Sequence, residues 1–333
     1  MFVYQSFIKP VQKQAVALIL LALMSGLMFD GCYETQSNST ANPLPDDMRS
    51  TLLKSIRTEV IIPLLNQLEP NLTSLRVAIE AQNLDSAREA WRSSMLAWHQ
   101  LELLQFGPAG ISGLRVGGQD IRDQIYAFPL TNPCRVDQVL VGQSFTESNW
   151  VKEASINVIG LDAIEHLLFQ EGGESVCPVQ SKLIRDGEWA AFQEDENNAA
   201  NQKWSYLKVL IAGVQAKYQL LLAAWMGSFG VAFEEAQEPF TSQREAVDQI
   251  FAGIFYLDEV IKDLKVGAPA GIYMTCLESR CPELLEHRRS MLSGQAIESN
   301  LTALRAIFEG KVAESTEASF GLTKLLIAEG ASE

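Results

Sequence analysis

Alternating polar and apolar runs of the kind that make half-buried strands are nearly absent from this 333-residue chain. Apolar residues recur instead at spacings of three and four, the period of one helix face, so the sequence predicts an all-α fold. Several signatures of chemistry are missing as well. There is no H-E-x-x-H, C-x-x-C-H, P-loop or G-x-S-x-G, which leaves zincin peptidase, covalent haem, nucleotide and serine-elbow hydrolase readings without local support. Positive charge is scarce: 26 Lys and Arg stand against 41 Asp and Glu, a net charge of −15 and a pI near 4.7. Such a surface argues against nucleic acid and anionic lipid headgroups as partners and is compatible with cations. Only five cysteines occur, none in a C-x-x-C pair, and their spacings fit no zinc pattern.

What is present begins with a leader. Lys9 and Lys13 precede an apolar run from Ala15 to Phe29, the order of a secretory signal, and the run is short for a membrane span. Gly31-Cys32 follows, then a polar stretch to Pro45 with the composition of a flexible tether. We read residues 1–31 as a lipoprotein signal peptide, Cys32 as the lipidated first residue of the mature chain and 32–45 as the tether. Asp30 and Phe29 stand where small and aliphatic residues are usual, so an ordinary cleaved signal and a single anchor helix stay open. Removing residues 1–31 takes away Lys9, Lys13 and Asp30, a net +1, and turns −15 into −16. Acylation of Cys32 would leave four cysteines for two disulfides. Cys276 and Cys281 are close enough to close a small loop, leaving Cys134 with Cys177.

Along the mature chain the pattern is helix after helix. Asp46 and Asp47 can cap a first helix reaching Leu68, kinked by Pro63 and ended by Pro70, with a short helix over 72–82 after it. Asp85 opens a core helix whose stripe is Trp91, Met95, Trp98, Leu101 and Gln105, stopping at Gly107-Pro108. Residues 106–151 are glycine- and proline-rich and too long for an ordinary connector. A helix over 154–170, broken at Gly172-Gly173, leads to a long one over 187–225, and further helices are expected over 242–265, 282–308 and 316–328. Two helical bundles, 46–186 and 187–333, would account for this order.

The segment Gly160-Leu161-Asp162-Ala163-Ile164-Glu165-His166 carries the strongest chemical signal. Asp162, Glu165 and His166 stand at i, i+3 and i+4, on one helical face, among apolar neighbours. Carboxylates in such surroundings need a cation, a metal or several donors. Two carboxylates and an imidazole suit iron, manganese or zinc. The alternative is that Asp162 and Glu165 pair with Arg115, Arg122 or Arg135 and only hold the halves together. Glu102, one turn after Trp98 on an apolar helix, is a further candidate metal ligand, and Asp137 and Arg122 are candidate ligand-binding residues. His99 and His287 fit no recognised pair.

Several segments, in order, resemble the imelysin-like family in its branch of periplasmic lipoproteins. They are Trp91 through Trp98 to Glu102, Phe106-Gly107-Pro108, residues 122–126, 129–138 and 160–169, Gly267-Ala268-Pro269, and Asn300-Leu301 through Phe308-Glu309-Gly310. The resemblance implies two helical-bundle domains side by side with a site at their interface, a bacterial envelope location and an association with iron acquisition. It also implies a G-x-H-x-x-E signature and a reported peptidase activity. Gly160 and Glu165 match that signature, whereas Asp162 occupies the histidine position. A nitrogen ligand is thereby missing for zinc hydrolysis, and His166 would return one to the same face.

These readings lead us to expect a protein anchored by lipid to the outer membrane of a Gram-negative bacterium, on the periplasmic side. It would bind iron, another divalent metal or an iron-bearing ligand and serve an envelope iron-uptake system. A metallopeptidase and a non-catalytic adaptor with structural buried acids are the alternatives.

Overall fold

Pro63 and Pro70 lie within what the structure shows to be one nearly continuous helical rod, and each is accommodated differently. The computed structural model describes residues 46–170, 173–273, 276–312, 319–328 and 330, so the leader, Cys32 and the tether lie outside the described residues. Helix α1 (Asp46–Ser55) runs through a widened π-type turn (Ile56–Ile61) into α2 (Ile62–Glu80). Pro63 has no N–H to offer the carbonyl of Glu59, and that carbonyl instead accepts the N–H of Val312 at 3.1 Å. Pro70 was expected to end the helix and does not. It is solvent-exposed, so the carbonyl it leaves free faces water, while Leu64, Leu65, Leu68, Leu72, Leu75 and Ile79 form an unbroken buried stripe past it. Tertiary burial overrides the local breaker here. The separate helix expected over 72–82 is the second half of α2.

Helix α3 (Leu84–Leu101) starts where Asn83 caps it, its side chain accepting the N–H of Ser86 at 3.0 Å. Its stripe of Ala87, Trp91, Met95 and Trp98 is fully buried, and truncating either tryptophan to alanine would cost about 3–5 kcal/mol. The helix tightens into a 3-10 turn (Glu102–Leu104) before reaching the glycine-proline pair. The connector that follows contains α4 (Ile121–Ile125) and α5 (Pro133–Gly142). Cys134 on α5 is joined to Cys177, and Cys276 to Cys281, as the cysteine spacing suggested.

The helix expected over 154–170 is shorter. A 3-10 turn (Ile156–Val158) precedes α6 (Gly160–Phe169), and Ile159 between them is extended. Gly160 adopts a φ of +84°, and a Cβ there would stand 2.7 Å from the carbonyl oxygen of Ile125, so no larger residue fits. Gly187, at φ +76°, separates two short helices ahead of α7 (Glu196–Met226), which Asp195 caps through the N–H of Asn198. Helix α7 buries Tyr206, Leu207, Leu210, Ile211, Val214, Tyr218, Leu221 and Trp225 and packs against α2 and α6.

Beyond it, α8 (Gln243–Ile254) passes into a second π-type segment (Leu257–Gly267), and α9 (Ser293–Glu309) and α10 (Leu322–Ala328) complete the bundle. Between the π-type segment and α9, the described residues of 268–292 hold only a 3-10 turn at Pro282–Leu284, where the sequence predicted helix from residue 282 onward. No strand occurs among the described residues, and the fold is all-α.

Candidate metal centre

All three histidines of the chain are buried: His99, His166 and His287 are at most 4% exposed. Two of them meet. The last turn of α3 presents His99, and the irregular segment before α9 presents His287, with their Nε2 atoms 2.8 Å apart. His99 Nδ1 is bonded to Glu102 Oε2 at 2.7 Å, and His287 Nδ1 to Glu165 Oε2 at 2.7 Å. Each imidazole thus has a carboxylate behind it and turns its other nitrogen toward the same point. The ligating atoms of His99, His287 and Glu286 all lie within 4.8 Å of one another.

The surrounding groups fix this arrangement. Glu102 is fully buried and accepts from Lys265 Nζ at 2.6 Å, Asn300 Nδ2 at 2.9 Å and Tyr256 Oη at 2.7 Å. Lys265 also pairs with Glu286 Oε1 at 3.1 Å, and Tyr126 Oη donates to the same oxygen at 2.5 Å. The π-type segment supplies Lys265, whose buried head is turned inward among these carboxylates. Ser290 Oγ donates to Glu165 Oε1 at 2.7 Å. His287 itself has a φ of +56°, a left-handed conformation that costs about 1–3 kcal/mol for a non-glycine residue and persists only where its surroundings impose it.

Charge is distributed unevenly along this chain of groups. Burial works against the charge on His287, but Glu165 and Glu286 outweigh it and hold its pKa up at about 9. Burial and the nearby Lys265 ammonium lower that of His99. His287 is therefore the protonated partner, donating from Nε2 to a neutral His99, which donates from Nδ1 to Glu102. Burial pushes the Glu102 carboxyl up, yet Lys265 and His99 hold it well below the usual range. Asp162 is the opposite case: burial raises it to about 7 despite the Ala127 N–H it accepts at 2.7 Å.

The three residues expected to converge on α6 do not share a target. Asp162 turns to the backbone of Ala127, Glu165 to His287 and Ser290, and His166 to Asp137. A common helix face brings them into three neighbouring environments, because the backbone after α4, the segment around His287 and α5 each abut a different part of that face. His166 has both ring nitrogens engaged, Nε2 with Asp137 Oδ1 at 2.7 Å and Nδ1 with Arg289 Nη1 at 2.9 Å. Asp137 also accepts from Ser175 Oγ at 2.6 Å and from the N–H of Val176, so it ties the disulfide-stapled loop to α6.

Glu102, expected as a metal ligand, lies behind His99 with its carboxylate on Nδ1. Arg122 sits beyond Tyr256, bonded to Asp123 Oδ1, the carbonyl of Phe128 and Tyr256 Oη at 2.7, 2.9 and 3.3 Å. Arg135 bonds Gln138, so neither of these arginines forms an ion pair with Asp162 or Glu165.

Sequence reasoning missed His99, Glu286, His287, Lys265, Tyr126 and Asn300. The one available signal was His99 three residues before Glu102 on the aromatic helix. Beside the centre opens a cleft of about 770 Å³, with Glu165, Glu286 and His287 in its lining together with Phe128, Arg288 and Arg289.

Comparison with known proteins agrees with this architecture. A curated relative, iron-regulated protein A of Synechococcus elongatus, is 29% identical over 107 residues, which is 32% of this chain and 29% of that protein. A solved structure described as an iron-regulated protein A precursor, from Parabacteroides distasonis, superposes with a TM-score of 0.65 at 15% identity, covering 85% of this chain and 80% of that one. An imelysin-like protein from Psychrobacter arcticum superposes with a TM-score of 0.54 at 14% identity, covering 87% and 79%. These likenesses establish the shared fold. The sequence also matches the family described as Imelysin over residues 64–331, and with that match across most of its length the chain belongs to the imelysin family.

Proposed function

We propose that the protein is an envelope-anchored metal-binding module serving iron acquisition, with His99, His287 and Glu286 as the metal ligands. One observation carries the reading: two imidazoles aim Nε2 at one point, each backed by a carboxylate at Nδ1, beside a carboxylate oxygen, Glu286 Oε2, that is buried without a hydrogen-bond partner among the described residues. Metal-binding histidines ordinarily have such carboxylates behind them. A buried acceptor left unbonded costs about 1–3 kcal/mol, and a cation would satisfy it. The 2.8 Å between the Nε2 atoms is about half an ångström less than two nitrogens need on one tetrahedral ion, so a small rotation of the rings suffices.

Imidazole nitrogen with carboxylate oxygen suits iron, manganese or zinc. A metal bound there would displace the proton that His287 shares with His99, Glu102 and Glu165 would keep the rings oriented, and Lys265 would offset the carboxylate charge. Glu165 spends both oxygens on His287 and Ser290, which leaves it poorly placed as the base of a peptidase. The name of the Synechococcus relative supports an iron-related role. The leader and Cys32 support tethering at the periplasmic face of the outer membrane, close to uptake components.

Calorimetric titration of the mature protein with zinc or anaerobic ferrous iron at pH 7 tests the reading. Wild type is expected to bind one ion, and His287→Ala none. If the two titrate alike, the ligand set is wrong. If neither binds, the buried acids are structural and the adaptor reading replaces this one.

A further inference from the structure

The cleft beside the centre is far larger than an ion requires. Its volume of about 770 Å³ falls in the range of small-molecule sites, about 300–1,000 Å³. Its buried end carries Glu286 and His287, and its exposed end carries Arg288 and Arg289, the next two residues of the same segment. Neither arginine makes an ion pair with a carboxylate among the described residues. Arg289 gives one guanidinium nitrogen to His166 Nδ1. In a chain with 41 acidic and 26 basic residues, two adjacent arginines without carboxylate partners at a cleft mouth are unusual, since a solvated acidic surface offers partners readily. Partial burial lowers the pKa of Arg289 and the neighbouring Arg288 adds to this, while Asp137 and Glu165 offset it in part.

Phe128, Leu264 and Leu285 supply apolar wall beside these charges.

We infer that the cleft takes its metal as an anionic polycarboxylate chelate, the ion entering past Glu286 and His287, which line the cleft, toward the fully buried His99 outside that lining, and the chelator's carboxylates on Arg288 and Arg289. This rests on the metal reading above and adds the class of cargo. The net charge of −15 would repel a free polycarboxylate, so recognition needs the arginines locally and the metal at the inner end. Arginine matches carboxylate in a bidentate fork, and a hydrogen bond to a charged group contributes about 1.5–3 kcal/mol, which corresponds to roughly 10–100-fold in affinity.

The test uses the mature protein with two probes, ferric citrate and aqueous zinc, measured by calorimetry at pH 7. Arg288→Ala, an exposed site, and the double variant Arg288→Ala/Arg289→Gln are compared with wild type, with circular dichroism confirming the fold. Ferric citrate affinity is expected to fall about tenfold in the single variant and further in the double, with partial recovery in Arg288→Lys, while zinc affinity stays within about twofold. Zinc binding without ferric citrate binding, or ferric citrate binding indifferent to both variants, overturns the inference and leaves the metal centre intact. Failure of wild type to bind either probe removes the metal centre and the inference together.

Discussion

Glu165 and His166 are neighbours on one helix, yet they enter two clusters built from the same residue types. The first joins Glu165, His287, His99 and Glu102; the second joins His166, Asp137, Ser175 and Arg289. In the second, His166 has a donor and an acceptor, and Asp137 accepts three hydrogen bonds. That is a latch: it holds the loop stapled by Cys134–Cys177 against α6, and neither ring nitrogen of His166 is left for a ligand. The first has two ring nitrogens facing each other across a single proton and a buried carboxylate oxygen without a partner. A histidine and a carboxylate in contact therefore say little by themselves. What sets the first cluster apart is an unfilled carboxylate valence beside two facing imidazole nitrogens.

Substitutions can break that contrast. The largest effect is expected at the centre: His99→Ala or His287→Ala removes a nitrogen ligand and should abolish metal binding in calorimetry, a loss of at least about a hundredfold, whereas His166→Ala should leave the stoichiometry at one. Retained binding in His287→Ala would erase the distinction between the clusters.

Next is the latch. Asp137→Ala strips a fully buried acceptor from three donors and should lower stability by about 3 kcal/mol in urea unfolding, with metal affinity unchanged. A variant of wild-type stability would mean that Asp137 is not structural. Smaller again is Glu165→Gln, which keeps a hydrogen bond to His287 but not its charge. Metal affinity should drop about 10–100-fold, as for other carboxylates behind metal-binding histidines.

The contrast also explains how much of the molecule was legible in its sequence. Helix type and order were readable because the stripes on α2, α3 and α7 recur every three to four residues, and burial along one face is what that period encodes. Pro70 was misread because the local rule carries no knowledge of the seven buried side chains holding α2 together around it. Glu102 and Glu165 stood out as acids on apolar helices and were expected as metal ligands, whereas the structure sets each behind an imidazole.

Their partner His287 was not found. It lies 122 residues beyond Glu165 and 188 beyond His99, in a segment with no period and a left-handed backbone, so nothing local announces it. The i, i+3, i+4 rule placed Asp162, Glu165 and His166 on one face correctly, but sharing a face does not mean sharing a partner.

Asp162 offers the finest test of how the two clusters differ, because it borders the centre without belonging to either. Its pKa is about 7 in the folded protein against an ordinary value of 3.8. Between those values the unfolded chain has released the proton and the folded chain keeps it. The stability this provides is therefore complete below about pH 4 and disappears as pH rises through 7. In that window the slope is at most about 1.4 kcal/mol per pH unit, so raising the pH from 6 to 8 should cost wild type about 1.4 kcal/mol through this residue alone. Asp162→Asn keeps an oxygen to accept the Ala127 N–H and cannot titrate. Its Tm should gain on that of wild type by a few degrees over the same two pH units. A constant gap from pH 6 to 8 would show that Asp162 is already ionised in the folded protein, and the buried carboxylates would then be paired more completely than the contrast between the clusters allows.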